Sequence, residues 1–203
     1  MTTSASPAIP LGEPLVARFR DILNAHEPRA VDIPGRRKAA VLIPLFERDA
    51  EPWVVLTRRT DTVRTHKGQI SFPGGGEDPE DDNLWETAMR ETVEELGVHP
   101  GSIGYLGALD DYPTFSSGFV VSAFVGTIDP RQPMQPSEFE IDEVIEAPLR
   151  GLERVGRTEI WEREGIRFPM HIFEVDGHYI WGVTAFILRR FLDVVADALE
   201  PSD

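Results

Sequence analysis

The chain has 203 residues, 41% of them hydrophobic, with 20 Lys and Arg against 35 Asp and Glu and a formal net charge of −15. That length and composition suit one globular domain with a sizeable core. The charge opposes binding to a nucleic-acid polymer or an anionic membrane, and the absence of cysteine removes disulfides and thiolate chemistry. No apolar run approaches bilayer-spanning length. The start, MTTSASPAIPLGEPL, has neither the basic opening nor the apolar core of a secretory signal, so a cytoplasmic location is expected.

Met1–Leu11 reads as a flexible tail, and residues 12–203 as a single domain. Pro14 opens a helix with Leu15, Phe19, Ile22 and Leu23 at helical spacing. Pro28–Lys38 reads as a loop, and its Arg36-Arg37-Lys38 cluster as solvated surface. Strands are expected at Ala39–Phe46 and Pro52–Thr57, around a turn at Glu47–Glu51. A basic segment with Arg58, Arg59, Arg64, His66 and Lys67 follows, then the turn Phe72-Pro73-Gly74-Gly75, whose bare backbone can approach a phosphate or a metal closely. His66 alone reads as a structural hydrogen-bond donor.

The next helix starts at Asp82 or Asn83 as N-cap and ends at Gly97. Trp85, Met89, Thr92, Val93 and Leu96 fall on one broad side that can face a core. Glu91, Glu94 and Glu95, at spacings i, i+3 and i+4, converge on another. Convergent carboxylates raise one another's pKa unless a cation lies among them, and oxygen ligands at this density suit Mg²⁺ or Mn²⁺. Arg90, one turn before Glu94, can brace that carboxylate by a bidentate pair. The rival reading is a solvated acidic face.

Beyond the helix, strands are expected near Ile103–Leu109 and Phe119–Ile128, with Asp110–Gly118 between them. Asp110 and Asp111 can orient a substrate, assist at a metal or cap a loop. Glu138–Glu146 fits an edge strand that offers Glu140 and Glu143 as further carboxylates. Arg157–Trp161 and Ile166–Val175 read as a hairpin, and Leu188, Phe191, Leu192, Val195 and Leu199 as the core stripe of a last helix.

The run Gly76, Asp82, Arg90-Glu91-Thr92-Val93-Glu94-Glu95, Gly97-Val98 resembles the Nudix hydrolases, whose pattern is G-x5-E-x7-R-E-U-x-E-E-x-G-U with U apolar. Thr92 departs from the apolar position, and an aspartate replaces the first glutamate. Counted back from Arg90 that aspartate is Asp82; counted forward from Gly75, with one extra spacer residue, it is Asp81. Upstream, Leu56-Thr57, Arg59, Arg64, Gly68 and Phe72-Pro73-Gly74-Gly75 resemble the additional signature of one branch, the coenzyme A pyrophosphatases, with Val55 and Thr60 as small departures. The D-D and S-G elements of Asp110–Gly118 and the Trp181-Gly182-Val183-Thr184-Ala185 run extend that likeness.

The resemblance implies the Nudix fold, an α/β mixed sheet sandwiched between helices. It implies a divalent-metal enzyme, with Mg²⁺ or Mn²⁺ held by Glu91, Glu94 and Glu95. Glu94 would be the base, Arg90 would orient the glutamates, and Arg59, Arg64, Gly68, Gly74 and Gly75 would contact substrate. The expected reaction cuts the diphosphate of coenzyme A, or of an acyl derivative, to 3′,5′-ADP and 4′-phosphopantetheine. The alternatives are ADP-ribose or a dinucleotide such as NADH and, outside catalysis, a nucleotide-sensing module. The expected partner is thus a small nucleotide diphosphate, with no nucleic acid and no membrane; a homodimer is compatible with the sequence.

Overall fold

The computed structural model describes residues 7–60, 68–114, 117–163 and 165–199. Its centre is β1 (Arg37–Arg48), whose AAVLIPLF run is apolar at nearly every position because both of its faces are covered. Ala39, Val41, Ile43 and Leu45 point into the larger core, whereas Ala40, Leu42 and Phe46 point to the opposite face.

β1 turns into β2 (Glu51–Arg59) through Asp49 and Ala50, both at positive φ (55° and 58°), as a two-residue hairpin requires. The two strands pair only from Leu45 opposite Val54 to Arg48 opposite Glu51, and then diverge. The gap is filled by β4 (Gly74–Gly76), which pairs with β1 at Ala39–Val41, while β3 (Ile70–Ser71) stays with β2. A glycine turn is thereby wedged into the middle of the sheet.

On its other side β1 runs parallel to β7 (Phe119–Thr127), which carries β5 (Gly104–Ala108) and β6 (Tyr112–Pro113). β8 (Ile141–Pro148) covers the outer edge of β2. One parallel pair among antiparallel ones makes the sheet mixed, as expected.

Helix α1 (Glu13–Ala25) buries Val16, Phe19 and Leu23 on one face, where Phe19 stacks on Phe191 at 6.3 Å. Full burial of a side chain of this size contributes about 2 kcal/mol. Phe191 belongs to α4 (Gly182–Val194), which ends just before the short α5 (Ala196–Leu199). The expected stripe of Leu188, Phe191, Leu192, Val195 and Leu199 is buried throughout. Helix α2 (Leu84–Leu96) covers the other face, across β1 and β4.

A short helix, α3 (Leu149–Val155), was not expected; it leads into a second sheet of β9 (Arg157–Arg163), β10 (Ile166–Val175) and β11 (His178–Ile180). The first two of these are the anticipated hairpin. The N-terminal stretch differs from the expected tail. Ile9 exchanges two backbone hydrogen bonds with Glu47 and Leu11 is buried, so the chain is anchored from Ile9 onward. No helix among the described residues is long and apolar enough to cross a membrane.

Candidate active site

Helix α2 forms where the sequence places it. The Asn83 side chain accepts a hydrogen bond from the Glu86 amide, and Gly97 closes the helix at φ 64°. Thr92 occupies an apolar position and is fully buried, but its hydroxyl donates to the Ala88 carbonyl (2.7 Å), so no polar group is orphaned. The three glutamates share a side of the helix but not an environment. The Glu95 side chain is 2% exposed, Glu91 is half-buried against the glycine turn, and Glu94 is 60% exposed.

A Cβ built on Gly75 would lie 2.4 Å from the Glu91 carboxyl carbon, and one on Gly74 would lie 2.3 Å from the Ala40 carbonyl. Glycine is therefore what lets α2 bring its carboxylates onto the backbone of β4.

Arg90 ties the site together, though not as its spacing suggests. Its bidentate pair is with Asp81 (Nε–Oδ1 and Nη2–Oδ2, both 3.0 Å), and Nη1 donates to Glu91 (2.9 Å). Glu94, the expected bidentate partner, is only a looser neighbour at 3.5 Å, because the buried side of Arg90 is already held by Asp81 and the Gly76 carbonyl. Asp81 also accepts from Thr87. Hydrogen bonds from Arg90, outweighing burial, hold the Asp81 carboxyl far below the usual carboxylate range and push the Arg90 guanidinium upward. Asp82 is exposed and donates its amide to Glu86, so it is Asp81, the aspartate reached by the forward count from Gly75, that holds Arg90.

Glu95 faces inward and receives Arg59 Nη1 at 3.1 Å, while Arg59 Nη2 lies 3.6 Å from Glu140. Burial pushes Glu95 up to about 8; Arg59 and the Gly74 amide oppose the shift, and Glu91 and Glu140 add to it. Glu91 is raised too, chiefly by burial, with Arg90 opposing and Glu94 and Glu140 assisting.

Of the two reserve carboxylates, Glu140 thus belongs to the cluster. Glu143 is turned away, toward Arg58 (3.1 Å) and His178 (3.4 Å). Thr60 fastens the segment bearing Glu140: its amide donates to the Glu140 carbonyl (2.8 Å) and its hydroxyl to that of Phe139 (2.9 Å). Gly68, at φ 64°, returns the chain to β2 by donating to the Arg59 carbonyl. Arg64, His66 and Lys67 lie outside the described residues.

Two recesses open from the glycine turn and share Gly76 and Phe119. The larger, of about 1060 Å³, runs from Arg59 and Gly74–Gly76 to an aromatic wall of Phe168, Phe186 and the Trp161–Trp181 pair, whose rings are 5.9 Å apart. The smaller, of about 540 Å³, is bounded by Arg36, Arg37 and Lys38 on one side and by Glu91 on the other.

A model of the NUDIX domain matches residues 36–166. The chain belongs to the Nudix hydrolase family. It is 38% identical over 163 residues to proteins described as the uncharacterized Nudix hydrolase NudL of Yersinia pestis (strain Pestoides F) and Yersinia pseudotuberculosis serotype O:1b (strain IP 31758). Each match covers 79% of this chain and 80% of the relative.

Among solved structures, the fold is similar to a MutT/nudix family protein from Enterococcus faecalis (TM-score 0.55, 18% identity, 89% of this chain and 69% of that one). It is also similar to a NUDIX hydrolase from Alicyclobacillus acidocaldarius (TM-score 0.54, 19% identity, 84% of this chain and 100% of that one). At such identity these likenesses speak for the fold alone.

As a Nudix hydrolase the protein is an enzyme acting on pyrophosphate bonds of small nucleotide-derived substrates. Nudix hydrolases generally use divalent metals such as Mg²⁺ or Mn²⁺. In the arrangement seen here Glu91, Glu94 and Glu95 each have an arginine neighbour, and no three acidic or histidine side chains among the described residues converge around an ion position. The donor set nonetheless fits a hard divalent cation. Glu95 Oε2 is buried with no hydrogen-bond partner, and Glu91 and Glu140 beside it are further oxygen donors whose charge raises the Glu95 pKa despite Arg59.

Sequence reasoning overlooked two parts of this site. Arg36–Lys38, read as solvated surface, line a recess beside Glu91; the Arg36-Arg37-Lys38 run was the available signal. The aromatic wall was split between a hairpin and a helix start, and only folding joins Trp161 to Trp181. Asp110 and Asp111, left open between catalytic and structural roles, are latches. Asp110 receives Arg29, His26 and Arg190, and Asp111 receives the Val31 amide and Ser122. Together they fix the loop that leads into Arg36.

Proposed function

We propose that this Nudix hydrolase cleaves the diphosphate of coenzyme A or an acyl derivative, releasing 3′,5′-ADP and 4′-phosphopantetheine or its acylated form. One observation supports the reading above the others. Described residues of the segment resembling coenzyme A pyrophosphatases line the site: Arg59 reaches the buried Glu95, and Phe72, Gly74 and Gly75 line the aromatic cleft. That cleft is long and largely apolar beyond Arg59, which suits a pantetheine arm better than a second charged ribose.

Glu91, Glu94 and Glu95 would hold Mg²⁺ or Mn²⁺, which when bound neutralises the diphosphate and polarises the phosphorus–oxygen bond to be broken. Arg90, clamped by Asp81, fixes the Glu91 carboxylate against Gly75. The β4 backbone, free of side chains, lets the diphosphate approach that carboxylate. Glu94 is exposed and loosely held, so its carboxylate is free to take the proton of the attacking water; Glu140 is the reserve. The water oxygen bonds to phosphorus, the bridging oxygen leaves with the other phosphate, and the proton ends on the carboxylate. Arg59 lines the cleft at the diphosphate end, where its second nitrogen can turn from Glu140 to the substrate. Arg64 and Gly68 would complete the substrate-binding strap.

The test is chromatography of products from coenzyme A, ADP-ribose and NADH, each incubated with Mn²⁺. Release of 3′,5′-ADP well ahead of turnover on the other two is expected. Preference for ADP-ribose or NADH would overturn the coenzyme A assignment, and no turnover on any of the three would favour a nucleotide-sensing role.

A further inference from the structure

Resting on the coenzyme A reading, we propose that Arg37 and Lys38 form a phosphomonoester subsite, and that the substrate lies with its 3′-phosphorylated nucleoside arm in the small basic recess and its other arm in the aromatic cleft. The two recesses meet at Gly76 and Phe119, so a diphosphate held on the glycine turn has one exit into each. Their walls differ in kind: one exit is aromatic and aliphatic, the other carries three consecutive cationic residues.

Within the basic recess the three residues are not equivalent. Arg36 is committed to the fold, donating to the carbonyls of Thr114 and Phe119. Arg37 lies opposite Phe119 across the parallel β1–β7 pairing, with its guanidinium carbon 4.2 Å from the ring centroid. That contact orients the group and leaves its nitrogens available to an anion. Lys38 leaves β1 on the opposite face, so the two side chains bracket the strand end.

Neither Arg37 nor Lys38 forms an ion pair with a described residue, although the chain carries a net charge of −15 and Glu77 and Asp78 border the same recess. Two cations left unneutralised beside a diphosphate site are suited to a second, dianionic group. The Asp110–Asp111 latches hold the approach to this strand end, so the subsite is preformed rather than carried on a free loop.

The experiment is the ratio of kcat/KM for coenzyme A over 3′-dephospho-coenzyme A with Mn²⁺, in the wild type and in R37Q/K38Q. Inhibition by 3′,5′-ADP relative to 5′-AMP is the second readout. A charge-assisted hydrogen bond to phosphate accounts for roughly tenfold in affinity. The wild type should therefore prefer the 3′-phosphorylated substrate by about tenfold or more, and the variant ratio should fall by a similar factor, mainly through KM. A wild-type ratio near one, or an unchanged ratio in the variant, would overturn the subsite while leaving coenzyme A as substrate. A wild type that cuts ADP-ribose or NADH but neither form of coenzyme A would overturn the functional reading and the subsite with it.

Discussion

Gly74 and Gly75 are adjacent and both look indispensable, yet alanine should damage them in opposite ways. At Gly75 the atoms nearest the added methyl are all at the end of the Glu91 side chain, with Cδ and Oε1 at 2.4 Å and Oε2 at 2.6 Å. A carboxylate can rotate away, so folding survives, but Glu91 is then displaced by about 1 Å from its place on β4. A misplacement of that size in a catalytic group costs on the order of 100-fold in rate. At Gly74 the methyl would meet the Ala40 carbonyl at 2.3 Å and the Val41 Cα at 2.7 Å, backbone that cannot yield without disturbing the centre of the sheet. Overpacking there costs roughly 1–3 kcal/mol, or a fall in Tm of roughly 2–12 °C for a chain of this size.

Thermal melts in parallel with Mn²⁺-dependent turnover of the preferred diphosphate separate the two effects. Gly75→Ala should melt within about 2 °C of wild type yet turn over about 100-fold more slowly. Gly74→Ala should melt early. If Gly75→Ala instead lost stability like Gly74→Ala and its folded fraction kept wild-type specific activity, the account of the glycine turn would be wrong.

Other substitutions probe the remaining contacts. Asp81→Asn removes the bidentate clamp on Arg90 and should lower kcat/KM by roughly 10–100-fold, whereas Asp82→Asn should leave it within about twofold; steady-state kinetics of the pair decide which aspartate belongs to the motif. Glu94→Gln, on an exposed helix face, should keep the wild-type melting temperature and lose roughly 100–10,000-fold in kcat; full activity on every diphosphate tested would remove Glu94 as base. Asp110→Asn should cost about 2 kcal/mol, less than a fully buried pair because Arg29 stays solvated. Burial raises the Asp110 pKa, but the Arg29 and Arg190 contacts overcome it and leave the group below its ordinary 3.8. Its stabilisation is therefore fully present above that value and is lost as pH falls from it through the lower folded-state pKa, so melts of wild type and Asp110→Asn should draw together in acid and converge only below that folded-state pKa.

How far the sequence could be read depended on whether a feature was local. Helix α2 was legible because its cap, its stop and its core stripe lie within fifteen or so residues, and β1 because both of its covered faces read as one apolar run. The environment of each glutamate was not. Spacing puts Glu91, Glu94 and Glu95 on one side of a helix, but only the packed fold shows that Glu95 is the buried one and that Arg59, at the end of a distant strand, is its partner. Glu140 and Glu143 likewise differ by a single turn of chain, and the pairing of β8 with β2 at Arg58 and Glu143 decides which of them faces the cluster. The choice of Asp81 over Asp82 depends on the shape of the loop before α2, which no periodicity encodes.

The match to the NUDIX domain ends at residue 166, yet the chain beyond it is no appendage. Phe173, Leu188 and Phe191 fill the main core, while Phe168, Trp181 and Phe186 face the cleft from the same few elements. The carboxylates proposed to hold the metal and take the proton all precede this stretch. On that proposal the protein keeps its bond-breaking apparatus and one wall of its cleft on separate lengths of chain. Drift in the later stretch could retune what enters the cleft while the chemistry at the glycine turn stays as it is, but truncating that stretch would take the core with it.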